Sequence, residues 1–82
     1  MTYAEIETTV KEVLAKQLSM DAGKINLDSR LVEDLGIDSF GSVEVAFELE
    51  ERFNIKIPDA ALYEAKTVKH ITDYIASQKE VK

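Results

Sequence analysis

The chain has 82 residues, no cysteine, 45% hydrophobic residues and a formal charge of −6. That length suits one small domain, with too little interior for a deep catalytic cleft. The missing cysteines exclude a disulfide framework, a thiolate zinc cluster and a thiol nucleophile, and the acidity opposes nucleic-acid binding because phosphates would be repelled.

An acidic surface instead steers partners that carry basic patches, although acidity alone also serves solubility. The opening residues form a polar, periodic segment without the apolar stretch of a secretory signal. No apolar run approaches the roughly 20 residues that span a bilayer. The expectation is a cytoplasmic monomer that does not insert into membranes.

In chain order, Thr2-Tyr3-Ala4-Glu5 matches a capping box, with Thr2 as the cap and Glu5 reaching back. Tyr3, Ile6, Val10, Val13 and Leu14 follow at helical spacing, so a first helix should run to about Leu18. Between Ser19 and Asp38 the turn formers Asp21, Gly23, Asn26, Asp28, Ser29 and Gly36 alternate with Ile25, Leu27, Leu31, Val32, Leu35 and Ile37. A connection of that length needs a function or short helical turns, and its apolar side chains should pack onto the bundle.

A second helix should begin near Asp38-Ser39 and end at Phe53-Asn54. Pro58, the only proline, should lie in the first turn of a short helix reaching Tyr63. Thr67 can cap a last helix whose Val68, Ile71 and Ile75 share a face. One domain over residues 1–78 and a frayed polar tail over 79–82 complete the chain. No strand-like alternation is sustained. The expected fold is all-α: a small four-helix bundle of three longer helices and one short helix, with a long structured first loop.

The second helix has two apolar faces. At about 100° per residue, Val45, Ala46, Leu49 and Phe53 form a core stripe. Phe40 and Phe47 project roughly opposite, Val43 stands on one shoulder, and Glu44, Glu48 and Glu51 lie on or beside this second face. Either both faces are buried or the second is a docking strip with an apolar centre and a charged rim. Three glutamates favour docking for part of it, because unpaired carboxylates are rarely fully buried.

Ser39 stands where the loop becomes this helix. Asp and Ser there serve first as caps. A helix N-terminus also offers free N–H groups and a positive dipole end, which favour a phosphate on Ser39. Gly36, three residues upstream, eases access.

The run Asp34-Leu35-Gly36-Ile37-Asp38-Ser39-Phe40 resembles the prosthetic-group attachment motif of acyl carrier proteins, whose core is Asp-Ser-Leu. The likeness continues through Val43-Glu44, Leu49-Glu50-Glu51-Arg52-Phe53 and Ile55-Lys56-Ile57-Pro58-Asp59, then Thr67-Val68 and Ile71/Tyr74-Ile75. The resemblance implies that a phosphopantetheinyl transferase, holding Mg²⁺ at its own site, joins 4'-phosphopantetheine from coenzyme A to Ser39, with Asp38 beside it. Acyl groups then ride on the arm's thiol as thioesters, so the chain is a carrier and no enzyme. It further implies that Phe40, Val43, Glu44, Phe47 and Glu48 meet acyl-transferring and chain-elongating enzymes with basic docking patches. The bundle interior, lined by Val45, Leu49, Phe53 and Ile71, would shelter an acyl chain.

Three positions depart from that pattern. Phe40 stands where leucine is usual, Gly41 where an acidic residue is common, and Arg52 interrupts an acidic run. A helical glycine costs about 1 kcal/mol relative to alanine, so Gly41 should loosen the turn beside Ser39. These departures leave both fatty-acid and specialised acyl or polyketide-type biosynthesis open. Gly36 is followed by Ile37 rather than a second glycine, which favours acyl over peptidyl cargo.

Other readings are weaker. A serine hydrolase needs Gly-x-Ser-x-Gly, but Ile37 occupies the first glycine position, and the only histidine, His70, lies on the last helix. A calcium loop starting at Asp21 has Val32 at its twelfth position, so no metal ligand set is assigned. The rival from another class is an unmodified interaction module that docks partners through the Phe40/Phe47 face.

Overall fold

A computed structural model describes residues 2–79. Within them the chain forms α1 (Tyr3–Leu18), a single 3₁₀ turn (Ala22–Lys24), α2 (Ser39–Phe53), α3 (Asp59–Glu64) and α4 (Val68–Gln78). Among the described residues there is no strand, only one isolated antiparallel bridge between Arg30 and Thr67. The fold is the all-α bundle expected, three longer helices and one short. The last three residues of the expected polar tail, 80–82, lie outside the described residues.

Local chemistry sets the helix ends. Thr2 accepts from the Glu5 N–H at 3.2 Å while the Glu5 carboxylate accepts from the Thr2 N–H at 2.7 Å, a complete capping box. Thr67 accepts from the His70 N–H at 3.3 Å and starts α4. Ser19 and Asn54 both adopt left-handed backbone at φ 54° and close α1 and α2. Pro58 departs from expectation. It is the cap residue just before α3, and its carbonyl accepts from the Leu62 N–H at 3.2 Å.

The core joins Ile6, Val10, Val13 and Leu14 of α1 to Val45, Leu49 and Phe53 of α2 and to Val68, Ile71 and Ile75 of α4. α3 contributes no fully buried residue. The first loop closes the bundle: Ile25, Leu31 and Ile37 are buried, and Leu27 and Leu35 pack against the core. Val32 is the exception, at 64% exposure. Backbone hydrogen bonds decide which side chains turn inward. Leu31 N–H donates to Lys66 C=O at 3.0 Å, Val68 N–H to Ser29 C=O at 3.1 Å and Lys69 N–H to Leu27 C=O at 2.9 Å, so the loop is tied to the start of α4. Among the described residues no helix is long and apolar enough to cross a membrane.

Candidate functional site

Ser39 is the first residue of α2 and is exposed. Asp38, not Ser39, is the cap: its Oδ1 accepts from the Gly41 N–H at 2.7 Å. That division leaves the Ser39 hydroxyl outside the capping network, and among the described residues no group hydrogen-bonds to it. The Ser42 N–H donates to the Asp38 carbonyl at 2.9 Å. The N–H groups of Ser39 and Phe40 have no acceptor among the described residues, which leaves two orphan donors beside the hydroxyl. The first turn of α2 carries no acidic residue. An exposed hydroxyl with two open N–H groups at a positive dipole end fits a phosphodiester.

The approach to Ser39 is shaped by Gly36, whose φ of +71° lies in the left-handed region that favours glycine. Its carbonyl-side neighbour Ile37 is then anchored, with the Ile37 N–H donating to Leu31 C=O at 2.9 Å and the side chain buried. Arg30 braces the same loop through Asp34, which accepts from the Arg30 N–H at 2.8 Å and holds its guanidinium at 3.3 Å. The guanidinium lowers the Asp34 pKa, as does the backbone hydrogen bond.

Gly41 corrects the expected loosening. A Cβ built there would stand 3.1 Å from Asp38 Oδ1 and 3.6 Å from Ile37 Cγ2. The missing side chain therefore gives the capping carboxylate room to seat, and the turn beside Ser39 is capped rather than loose.

The two faces of α2 separate cleanly. Val45, Ala46, Leu49 and Phe53 are buried, whereas Phe40, Val43 and Phe47 are 74%, 58% and 61% exposed. Glu44 and Glu51 are exposed beside them and Glu48 is half-buried. Both α1 and α2 supply contacts on this side. Gln17 Nε2 donates to Glu44 at 3.1 Å, and Glu48 lies 3.2 Å from the Arg52 guanidinium and 3.7 Å from the Lys16 ammonium.

On the inner side, Val45 and Leu49 of α2, Leu62 of α3 and Ile71 and Tyr74 of α4 line a small apolar cavity, together with Ile57. The space open to the centre of a water molecule is about 20 Å³, little more than one water needs. Phe53, expected among the lining residues, does not line this cavity; it lies at the last turn of α2 and fills the core instead. Glu50, which the sequence reading did not single out, accepts from the Ile57 N–H at 2.7 Å and fixes the connection from α2 to α3. Only a turn seven residues away reveals that partner, so helical spacing gives no signal of it.

His70 takes no part at Ser39 in this geometry. Its Nδ1 accepts from the Lys66 N–H at 2.9 Å, at the start of α4. Asp21 is likewise engaged locally, accepting from the Gly23 N–H at 2.9 Å. Among the described residues no three His, Asp or Glu side chains are grouped to hold a metal ion.

A sequence-family model described as the phosphopantetheine attachment site matches residues 8–75. An acyl carrier protein of Helicobacter hepaticus is 45% identical over 71 residues, covering 87% of this chain and 93% of its own length. One from onion yellows phytoplasma is 48% identical over 66 residues, covering 80% and 87%. One from Campylobacter jejuni subsp. doylei is 39% identical over 71 residues, covering 87% and 92%. With these matches running through both the loop-to-α2 junction and the closing helix, the chain belongs to the acyl carrier protein family, carriers rather than catalysts, with 4'-phosphopantetheine as the covalent group.

Proposed function

We propose that Ser39 is the attachment point and that the chain carries acyl intermediates as thioesters, in fatty-acid or specialised acyl or polyketide-type biosynthesis. The observation that carries this is the exposed Ser39 hydroxyl, left unpaired because Asp38 caps α2 in its place. The chain's share of the attachment reaction is to present Ser39 Oγ as nucleophile to the coenzyme A pyrophosphate. The Oγ–P bond forms, the P–O bond to adenosine 3',5'-bisphosphate breaks, and the hydroxyl proton passes to the transferase. When bound, the group supplies a flexible thiol that this cysteine-free chain lacks.

The proposed partner face is Phe40, Val43, Glu44, Phe47 and Glu48. Exposed aromatics ringed by carboxylates match an interface with an apolar centre and a polar rim. Partners with basic patches, the phosphopantetheinyl transferase first, fit that charge. Val45, Leu49 and Ile71 are the proposed acyl lining. The cavity of about 20 Å³ must widen to admit a chain. α3 buries no residue fully, so it is the wall that moves at least cost.

The test is intact mass after incubation with coenzyme A, Mg²⁺ and a broad-specificity phosphopantetheinyl transferase. One phosphopantetheinyl group should be gained by wild type and none by Ser39→Ala. No gain on wild type, or an equal gain on Ser39→Ala, refutes the assignment and favours an unmodified docking module.

A further inference from the structure

The carboxylates of the α2 face are not equivalent. Glu48 lies on the flank nearest α1, where Arg52, one turn on, stands at 3.2 Å and Lys16, from the last turn of α1, at 3.7 Å. Its charge is met from two sides. Glu44 receives only the neutral amide of Gln17, at 3.1 Å. Among the described residues no cation lies within ion-pair distance of Glu44 or Glu51. Glu44, Phe47 and Glu51 stand at i, i+3 and i+7, so the two uncancelled carboxylates bracket an exposed aromatic ring.

We propose that Arg52 is a specificity residue, which occupies Glu48 so that the exposed aromatic face of α2 offers uncancelled anionic charge through Glu44 and Glu51 on either side of Phe47. The proposal rests on the docking role given above to this face. The partner it fits has an apolar depression for Phe47 between two cations. A partner that sets a further lysine or arginine against position 48 meets the Arg52 guanidinium and is disfavoured, since like charge at an interface discriminates against wrong partners. Glu48 before Arg52 is the favourable order for a pair four residues apart on a helix, which keeps the guanidinium on the carboxylate.

The experiment measures kcat/KM for modification by a phosphopantetheinyl transferase whose docking face carries several lysines and arginines. Arg52→Gln keeps much of the side-chain stem and removes the charge. Removing the nearer of the two cations on the half-buried Glu48 should raise kcat/KM about twofold to fivefold at low salt, the range of surface ion pairs. The gain should fade near 1 M salt, where screening acts over about 3 Å. Adding Glu48→Gln to Arg52→Gln should abolish it, and Glu44→Gln alone should slow modification. Thermal melts by circular dichroism confirm that each variant is folded. No gain for Arg52→Gln overturns the proposal. So does a gain that survives Glu48→Gln: the double variant has the wild-type net charge, so a surviving gain would come from the loss of the Arg52 side chain itself and not from freeing Glu48. If Glu44→Gln slows the reaction while Arg52→Gln changes nothing, the masking fails and the docking face stands. If neither changes the rate, both fail.

Discussion

Truncating the two faces of α2 should have opposite consequences, and the contrast tests the division on which the functional reading depends. Leu49 is 1% exposed, lies among core residues of α1 and α4, and lines the apolar cavity. Leu49→Ala removes a buried isobutyl group and enlarges a void that already exists, which should cost about 3 kcal/mol. A chain of 82 residues has roughly 4–12 kcal/mol of stability in all, so the loss is a large part of it. With a urea slope of about 1 kcal/mol/M for a chain this small, the midpoint should fall by about 3 M. Phe47 is 61% exposed, and alanine recovers some helix propensity, so Phe47→Ala should shift stability by less than about 1 kcal/mol. The same variant should impair modification by the transferase, because an exposed aromatic at the centre of a docking strip is a typical anchor. Urea titration followed by circular dichroism gives the first result and the mass assay gives the second. Equal destabilisation by the two variants would show that both faces are buried and would remove the docking argument.

Tyr3 Oη donates to Asp73 Oδ1 at 2.6 Å and ties α1 to α4. Burial first, then the hydrogen bond and charge of Asp73, push the Tyr3 pKa up to about 12, while Lys69 first and Tyr3 second hold Asp73 below its usual range. The Tyr3 contribution is therefore full below about pH 10 and lost between there and about pH 12, whereas the Asp73 contribution is full above about pH 4 and lost as pH falls through its lowered pKa. Tyr3→Phe should cost about 1 kcal/mol at neutral pH and flatten the alkaline fall, read by urea midpoints across pH; an unchanged alkaline limb would contradict this. Asp38→Ala should cost about 1 kcal/mol through the lost cap, while Asp38→Asn, which keeps an acceptor for the Gly41 N–H, should stay within a few tenths. Urea denaturation separates the two, and equal losses would mean that the charge rather than the cap stabilises α2.

Much of the fold was legible because its signals are local. The Thr2/Glu5 and Thr67/His70 caps each act across three residues. The core stripe of α2 follows from a fixed rotation per residue. Ser39 was less legible. Residue chemistry alone offered a cap at a loop-to-helix junction, and the acidic, doubly apolar helix that follows it, with the ordered likeness running from Asp34 to Ile75, lifted it above that. The structure then gave the capping duty to Asp38.

By itself, then, the sequence determined an acidic, cysteine-free bundle with capped helices and a serine at the mouth of α2. Tertiary structure decided which apolar residues face water. Val32 and Ile37 are equally apolar, yet one is 64% and the other 5% exposed, because backbone hydrogen bonds to Lys66 and Val68 fix the loop on α4. It also placed Phe53 outside the cavity and set Lys16 of α1 against Glu48 of α2. Caps and periodicity act within a turn or two of helix. Burial and ion pairing depend on what the rest of the chain brings alongside, and that is fixed only when the helices pack.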